Sequence, residues 1–136
     1  MTKPTLDQAR AVLQAQPFST MLGTVITEYS DDAATLELEV RPDFLQQHGY
    51  IHGGLLCYLA DNALTFAAGR VLGREILTSG VTLNYLRPAQ GERLIARAAA
   101  QGATAKTAVT LVEISAVKDG SEYLCAVGSG TSAKRV

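Results

Sequence analysis

The chain is predicted to adopt an α+β fold in which an antiparallel sheet curls around one long helix, and three features of its 136 residues point there. The stretch from Gly54 to Gly69 lacks proline, is almost wholly apolar and spans roughly four helical turns, which predicts a helix buried on every side. Two strand-like runs precede it and four follow it. The later runs are joined by short links, and short links demand antiparallel neighbours.

In order, Thr5 is placed to cap a short amphipathic helix from about Leu6 to Gln16. Leu6, Ala9, Val12 and Leu13 share one of its faces, and Pro17 ends it. It reads as a lid or packing helix. A β-rich run from Leu22 to Tyr29 reaches the turn Ser30-Asp31-Asp32. Thr35 to Val40 then alternates, with Leu36, Leu38 and Val40 inward and Glu37 and Glu39 outward, as in a hairpin with one wet face. Arg41 to Ile51, holding Pro42 and Gly49, is a loop that delivers the chain to the central helix. Thr78 to Leu86, Leu94 to Ala100, Thr107 to Val117 and Tyr123 to Thr131 complete the sheet. With no repeat, low-complexity tract or dividing linker, residues 1–136 read as a single domain.

Hydrophobic residues make up 47% of the chain and charged residues 18%, with a formal net charge of −1. That balance fits a globular protein and lacks the basic excess of nucleic-acid binding. The apolar helix approaches the length of a membrane span, yet Asp61, Asn62 and glycines interrupt it, so it reads as a core helix. Cys57 and Cys125 form no disulfide framework, and the N-terminal residues show no signal-peptide pattern, which predicts a cytoplasmic protein. His48 and His52 are the only histidines and have no metal-ligand spacing around them, so neither metal nor cofactor is expected.

Asp61 is the residue that needs explaining, because an unpaired carboxylate inside an apolar helix costs several kcal/mol or more, roughly. Gly54, Cys57, Tyr58 and Thr65 share its face. At the helix start, His52-Gly53-Gly54 offers backbone N–H groups open to close approach at the positive end of the dipole, a place for an anion or a developing oxyanion. Gly53 and Asp61 stand roughly 12 Å apart along one helix, too far for one small reacting group. If they act together, a second helix must run antiparallel alongside, which predicts a two-fold dimer with two sites at its interface.

The pattern Gly49-x-x-His52-Gly53-Gly54 with Asp61-Asn62 at fixed spacing, followed by Asn84-Tyr85-Leu86-Arg87-Pro88-Ala89, resembles the hotdog-fold acyl-CoA thioesterases. The branch it is similar to includes the phenylacetate-pathway and 4-hydroxybenzoyl-CoA enzymes, and the resemblance covers about Leu22 to Ser132. It implies an acidic nucleophile or general base at Asp61 and a Gly53 N–H that polarises the thioester carbonyl, helped by Gln46 from the loop. It also implies Thr65 or Thr78 as the residue that orients water, His52 as an anchor of the loop, and a dimer pairing into a homotetramer. Gln46 goes with the branch that carries glutamate, whereas this chain has the shorter Asp61. Both roles of the acid therefore stay open.

The expected chemistry is hydrolysis of an acyl- or aryl-CoA thioester, in which the thiolate leaves readily and a strong general acid is dispensable. Gly54, Tyr58, Asn62 and Tyr85 are the candidate substrate contacts, with Phe66 as a further pocket residue. The nucleotide end of coenzyme A needs cations, for which Arg87, Arg93, Lys106, Lys134 and Arg135 are available. Rival readings are a hotdog hydratase or dehydratase, a non-catalytic acyl-CoA-binding module, and a purely structural dimer.

Overall fold

The computed structural model describes residues 3–135. Its elements are α1 (Leu6–Gln14), α2 (Pro17–Leu22), β1 (Val25–Ser30), β2 (Ala33–Glu39), a 3-10 turn at Pro42–Phe44, α3 (Gly53–Leu72), β3 (Ile76–Tyr85), β4 (Arg93–Ala103), β5 (Thr107–Lys118) and β6 (Ser121–Lys134). The strands form one six-stranded antiparallel sheet in the order β1-β2-β4-β5-β6-β3, and α3 packs across β2 to β6. This is the hotdog arrangement that the sequence implies.

The N-terminal segment departs from expectation. Thr5 caps α1 in a full capping box: its side chain accepts from the Gln8 N–H at 3.2 Å, and the Gln8 side chain accepts from the Thr5 N–H at 2.9 Å. The helix stops at Gln14, however, and the strand expected from Leu22 begins at Val25. Between them lies α2, whose first turn holds Pro17 where a missing N–H costs nothing. Gly23, at φ +86°, closes it. Pro17 is thus a start as well as a stop.

The core forms where β2, β4 and β5 meet α3, and Leu36, Leu56, Leu59, Leu64, Leu94 and Ile114 are all fully buried. The alternation read in β2 holds for Leu36 and Leu38, while half-buried Glu37 pairs with Arg93 at 3.1 Å. α3 is long and apolar enough to cross a membrane, but its Leu, Ala and Phe positions are packed under the sheet.

That helix is not buried on every side. Gly54, Cys57 and Asp61 form an exposed stripe along it, one residue per turn, beside the sheet edge made by β3. The two edges of the sheet differ sharply. β1 is blunted by a register shift between Ile26 and Glu28, by the Glu28 charge, and by Arg10, which donates to the Ile26 carbonyl at 3.2 and 3.3 Å. β3 runs ten residues with neither a charge nor a proline, and Leu77 and Tyr85 on it are exposed. β3 has one register shift of its own, between Thr78 and Gly80, but no charge, proline or capping side chain guards its edge as Glu28 and Arg10 guard β1.

Candidate active site

The start of α3 is organised by one histidine and two glycines. His52 is the N-cap, and its Nδ1 accepts from the Gly54 N–H at 2.9 Å. A Cβ at Gly54 would lie 3.0 Å from that nitrogen, so a larger residue would push the ring off its bond. The expectation of several open N–H groups is therefore narrowed. Gly54 is already satisfied, Leu55 donates to the His52 carbonyl at 3.0 Å, and no described residue accepts from Gly53. One N–H remains, at the positive end of a 20-residue helix.

Tyr85, at the end of β3, covers that turn. Its hydroxyl donates to the Gly53 carbonyl at 2.8 Å, and a Cβ on Gly53 would come within 3.3 Å of the same oxygen. Partial desolvation first, and the charge of a neighbouring Cys57 thiolate second, hold the phenol above its ordinary range, so Tyr85 stays a neutral donor. In this chain it fastens the helix start to the sheet.

Two turns further along, Asp61 stands exposed rather than buried, so the premise of a fully desolvated charge is corrected. Arg70 does not pair with it. Its guanidinium instead donates to the Asp31 carbonyl at 2.8 Å and the Pro4 carbonyl at 2.6 Å. Asp61 Oδ1 accepts from Thr78 Oγ1 at 2.6 Å, and the two threonine hydroxyls of Thr65 and Thr78 lie 2.7 Å apart. Thr65 also returns its hydroxyl to the Asp61 carbonyl at 2.8 Å, the usual habit of a mid-helix threonine. Thr65, Thr78 and the carboxylate form a short chain that fixes one carboxylate oxygen. No described donor meets Oδ2. A bulge between Thr78 and Gly80 breaks the register of β3 beside this contact, which is where bulges commonly re-aim a side chain.

The carboxylate borders a cavity of about 370 Å³ enclosed by α1, α2, α3 and the start of β3. Tyr58 and Asn62 line it, as expected of substrate contacts, but their polar atoms are largely engaged. Tyr58 Oη lies 2.6 Å from Ser19 Oγ and 2.8 Å from Thr24 Oγ1, while Asn62 Nδ2 donates to Gln16 at 3.2 Å and Ser19 at 3.1 Å. Phe18 packs edge-on against Tyr58 with ring centres 5.1 Å apart. Gln16, Phe18 and Ser19 went unnoticed in the sequence because Pro17 hid α2. A proline followed by a serine two residues on was the available signal.

Within one chain, Gln46 and Gly53 do not join Asp61. Gln46 sits on the loop before α3, where its side chain accepts from the His48 N–H, and Gly53 remains eight residues from the carboxylate. Among the candidate cations, Arg93 is paired with Glu37 and Arg135 with Glu75. Arg87, Lys106 and Lys134 have no ion-pair partner among the described residues.

A hotdog sheet around a helix that opens on His-Gly-Gly and carries a threonine-held carboxylate defines a class, and the chain belongs to the thioesterase superfamily, whose family model matches residues 48–123. Among relatives, acyl-coenzyme A thioesterase PaaI of Escherichia coli is 29% identical over 115 residues, covering 84% of this chain and 81% of PaaI. A thioesterase family protein of Silicibacter pomeroyi superposes with a TM-score of 0.90 at 28% identity, covering 94% of this chain and 96% of that one. A mutant of the phenylacetic acid degradation protein PaaI of Thermus thermophilus gives 0.77 at 32% identity, covering 88% of this chain and 100% of that one. Of the first curated relatives it matches, from Mycobacterium tuberculosis, the chain spans about half the length, at 35% identity over 66 residues.

Proposed function

We propose that this protein hydrolyses an acyl- or aryl-CoA thioester to the free acid and CoA, at sites shared between two copies of the chain. The observation that carries the reading is the state of Asp61. One carboxylate oxygen is held by Thr78 at 2.6 Å, the other meets no donor among the described residues, and Asp61 lines the cavity. In the site as we read it, the Gly53 N–H of one chain, helped by Gln46, stabilises the oxyanion formed at the thioester carbonyl. Asp61 of the other chain attacks that carbonyl or takes the proton of an attacking water. The thiolate of CoA then leaves; where Asp61 itself attacks, this leaves a mixed anhydride on its carboxylate, which water cleaves to the free acid and the regenerated carboxylate. His52 holds the helix start by its Nδ1 and is not a proton carrier in this scheme, which weighs against a hydratase.

The shared site is supported by the bare β3 edge and the exposed Gly54, Cys57 and Asp61 stripe beside it. A two-fold axis there would extend the sheet across two chains and bring Gly53 opposite the partner's carboxylate. Pairing of such dimers into a tetramer is part of the same proposal. Arg87, two residues beyond Tyr85 and without an ion-pair partner among the described residues, is our candidate for the CoA phosphates.

Thiol release from a panel of acyl- and aryl-CoA thioesters tests the chemistry. Asp61→Asn should lower turnover by at least about a hundredfold while leaving the melting transition in place. Turnover within a few fold of wild type would remove Asp61 from the reaction.

A further inference from the structure

The cavity beside Asp61 is long rather than round. Tyr58, Asp61, Thr65, Gly69 and the C-cap Gly73 all line it at spacings of three, four, four and four, with Phe66 beside Thr65, which keeps them along one side of α3. From Asp61 to Gly73, the residue that caps the helix, is twelve residues, or roughly 18 Å at 1.5 Å per residue. α1 lies antiparallel across this side and is fastened near both ends. Arg70 donates to the Pro4 carbonyl at 2.6 Å, and Asn62 donates to Gln16 at 3.2 Å.

Polarity changes along the groove. The polar side chains Gln16, Asn62, Thr65 and Thr78 gather round the carboxylate, whereas beyond Thr65 the walls are mostly Ala9, Val12, Phe66 and Ile76, with Gly69 and Gly73 contributing no side chain and with Gln8 and the Tyr29 hydroxyl, which lies against Gly69, as the polar groups there. Past Gly73, exposed Arg74 marks the outer end. Such a channel is apolar along most of its walls and continues well beyond the reach of one aryl ring.

We infer that the site takes a medium-chain aliphatic acyl group, laid along α3 beneath α1, with the thioester at Asp61 and the methyl end toward Gly73. The inference rests on the thioester reading above and adds the substrate class to it. A length and a volume agree. At about 1.25 Å per carbon of an extended chain, 18 Å holds roughly fourteen carbons. The cavity volume of about 370 Å³ lies toward the lower end of the roughly 300–1,000 Å³ of small-molecule pockets, which suits a medium rather than a long chain. Eight to twelve carbons fit both, as approximate bounds. Val12, half-buried on α1 at the middle of the groove, is the specificity-determining residue that the geometry singles out.

The test measures binding of non-hydrolysable S-alkyl-CoA thioethers from two to sixteen carbons by calorimetry, roughly the range the groove spans, beside hydrolysis of the matching acyl-CoA series. Affinity should rise about fourfold per methylene and level off near ten to twelve carbons. Val12→Phe should move the break to about six carbons, with an unchanged melting transition. Affinity that stays flat beyond a ring-sized group, or a Val12→Phe change that weakens every length by the same factor, would overturn the inference. The wild-type profile decides on its own if the variant does not fold. The two readings fail separately: a break in thioether binding with no hydrolysis at any length would leave the groove and remove the thioesterase, whereas hydrolysis without a length dependence would do the reverse.

Discussion

Gly53 and Gly54 are adjacent, yet the fold uses them for different reasons. Gly54 lets the His52 ring fold back onto its N–H, and Gly53 lets Tyr85 close over the turn while its own N–H stays free. A test of that N–H must allow for the Cβ that any replacement places 3.3 Å from the Tyr85 hydroxyl, so Gly53→Ala, which adds the Cβ and keeps the N–H, is the control for Gly53→Pro. Proline is tolerated at the first helical position, and His52 already has the extended conformation, φ −57° and ψ 131°, that a residue before proline prefers. Gly53→Pro should therefore keep the helix, remove one donor and lower kcat by about a hundred- to a thousandfold, as loss of an oxyanion-hole donor does. Steady-state kinetics beside circular dichroism checks it; a kcat within threefold of wild type, roughly, would put the oxyanion elsewhere. The HGG motif announced a helix terminus with open donors. That only one donor is open depends on the rotamer of His52, which no sequence pattern carries.

At the scale of elements, the sheet and α3 were readable because their signals are periodic. Alternation in β2 and the apolar run of α3 each extend over several residues, so a boundary error of one or two leaves the element intact. α2 was not readable, since six residues behind a proline give little periodicity. The exposure of Asp61 was missed for another reason: Gly54 and Cys57 are legible on its face, but the apolar residues around the rest of α3 make that face look as buried as the others. One strand position stands apart. Thr110 in β5 is fully buried, and its hydroxyl has no partner among the described residues. Its shape suits the strand but its oxygen does not suit the core. Thr110→Val keeps the β-branch and removes the orphan, so chemical denaturation should show a gain of about 1 kcal/mol. A loss of stability would mean that the hydroxyl is satisfied by a buried water.

For the whole molecule, the eight-residue separation of Gly53 and Asp61 on one straight helix is the fact that shapes the account. It was available from the sequence alone, and the structure keeps the two groups on the same rigid element, with Gln46 at the Gly53 end. On the proposed reading, a single chain has two half-sites. Its bare β3 edge and the stripe beside it supply a surface on which two chains could complete each other, while the β1 edge is blunted. The particular acyl group was not legible in the sequence, because the depth of the groove depends on how α1 and the hidden α2 lie over α3. The central claim, a site made by two chains, is tested most directly by mixing Asp61→Ala chains with Gly53→Pro chains after dissociation and reassembly. Each parent is inactive at both sites, whereas every heterodimer has one site with an intact Gly53 and an intact Asp61. Random pairing makes half of the dimers mixed, so the account predicts recovery of about a quarter of wild-type thioesterase activity. Purified heterodimers as inactive as both parents would contradict it.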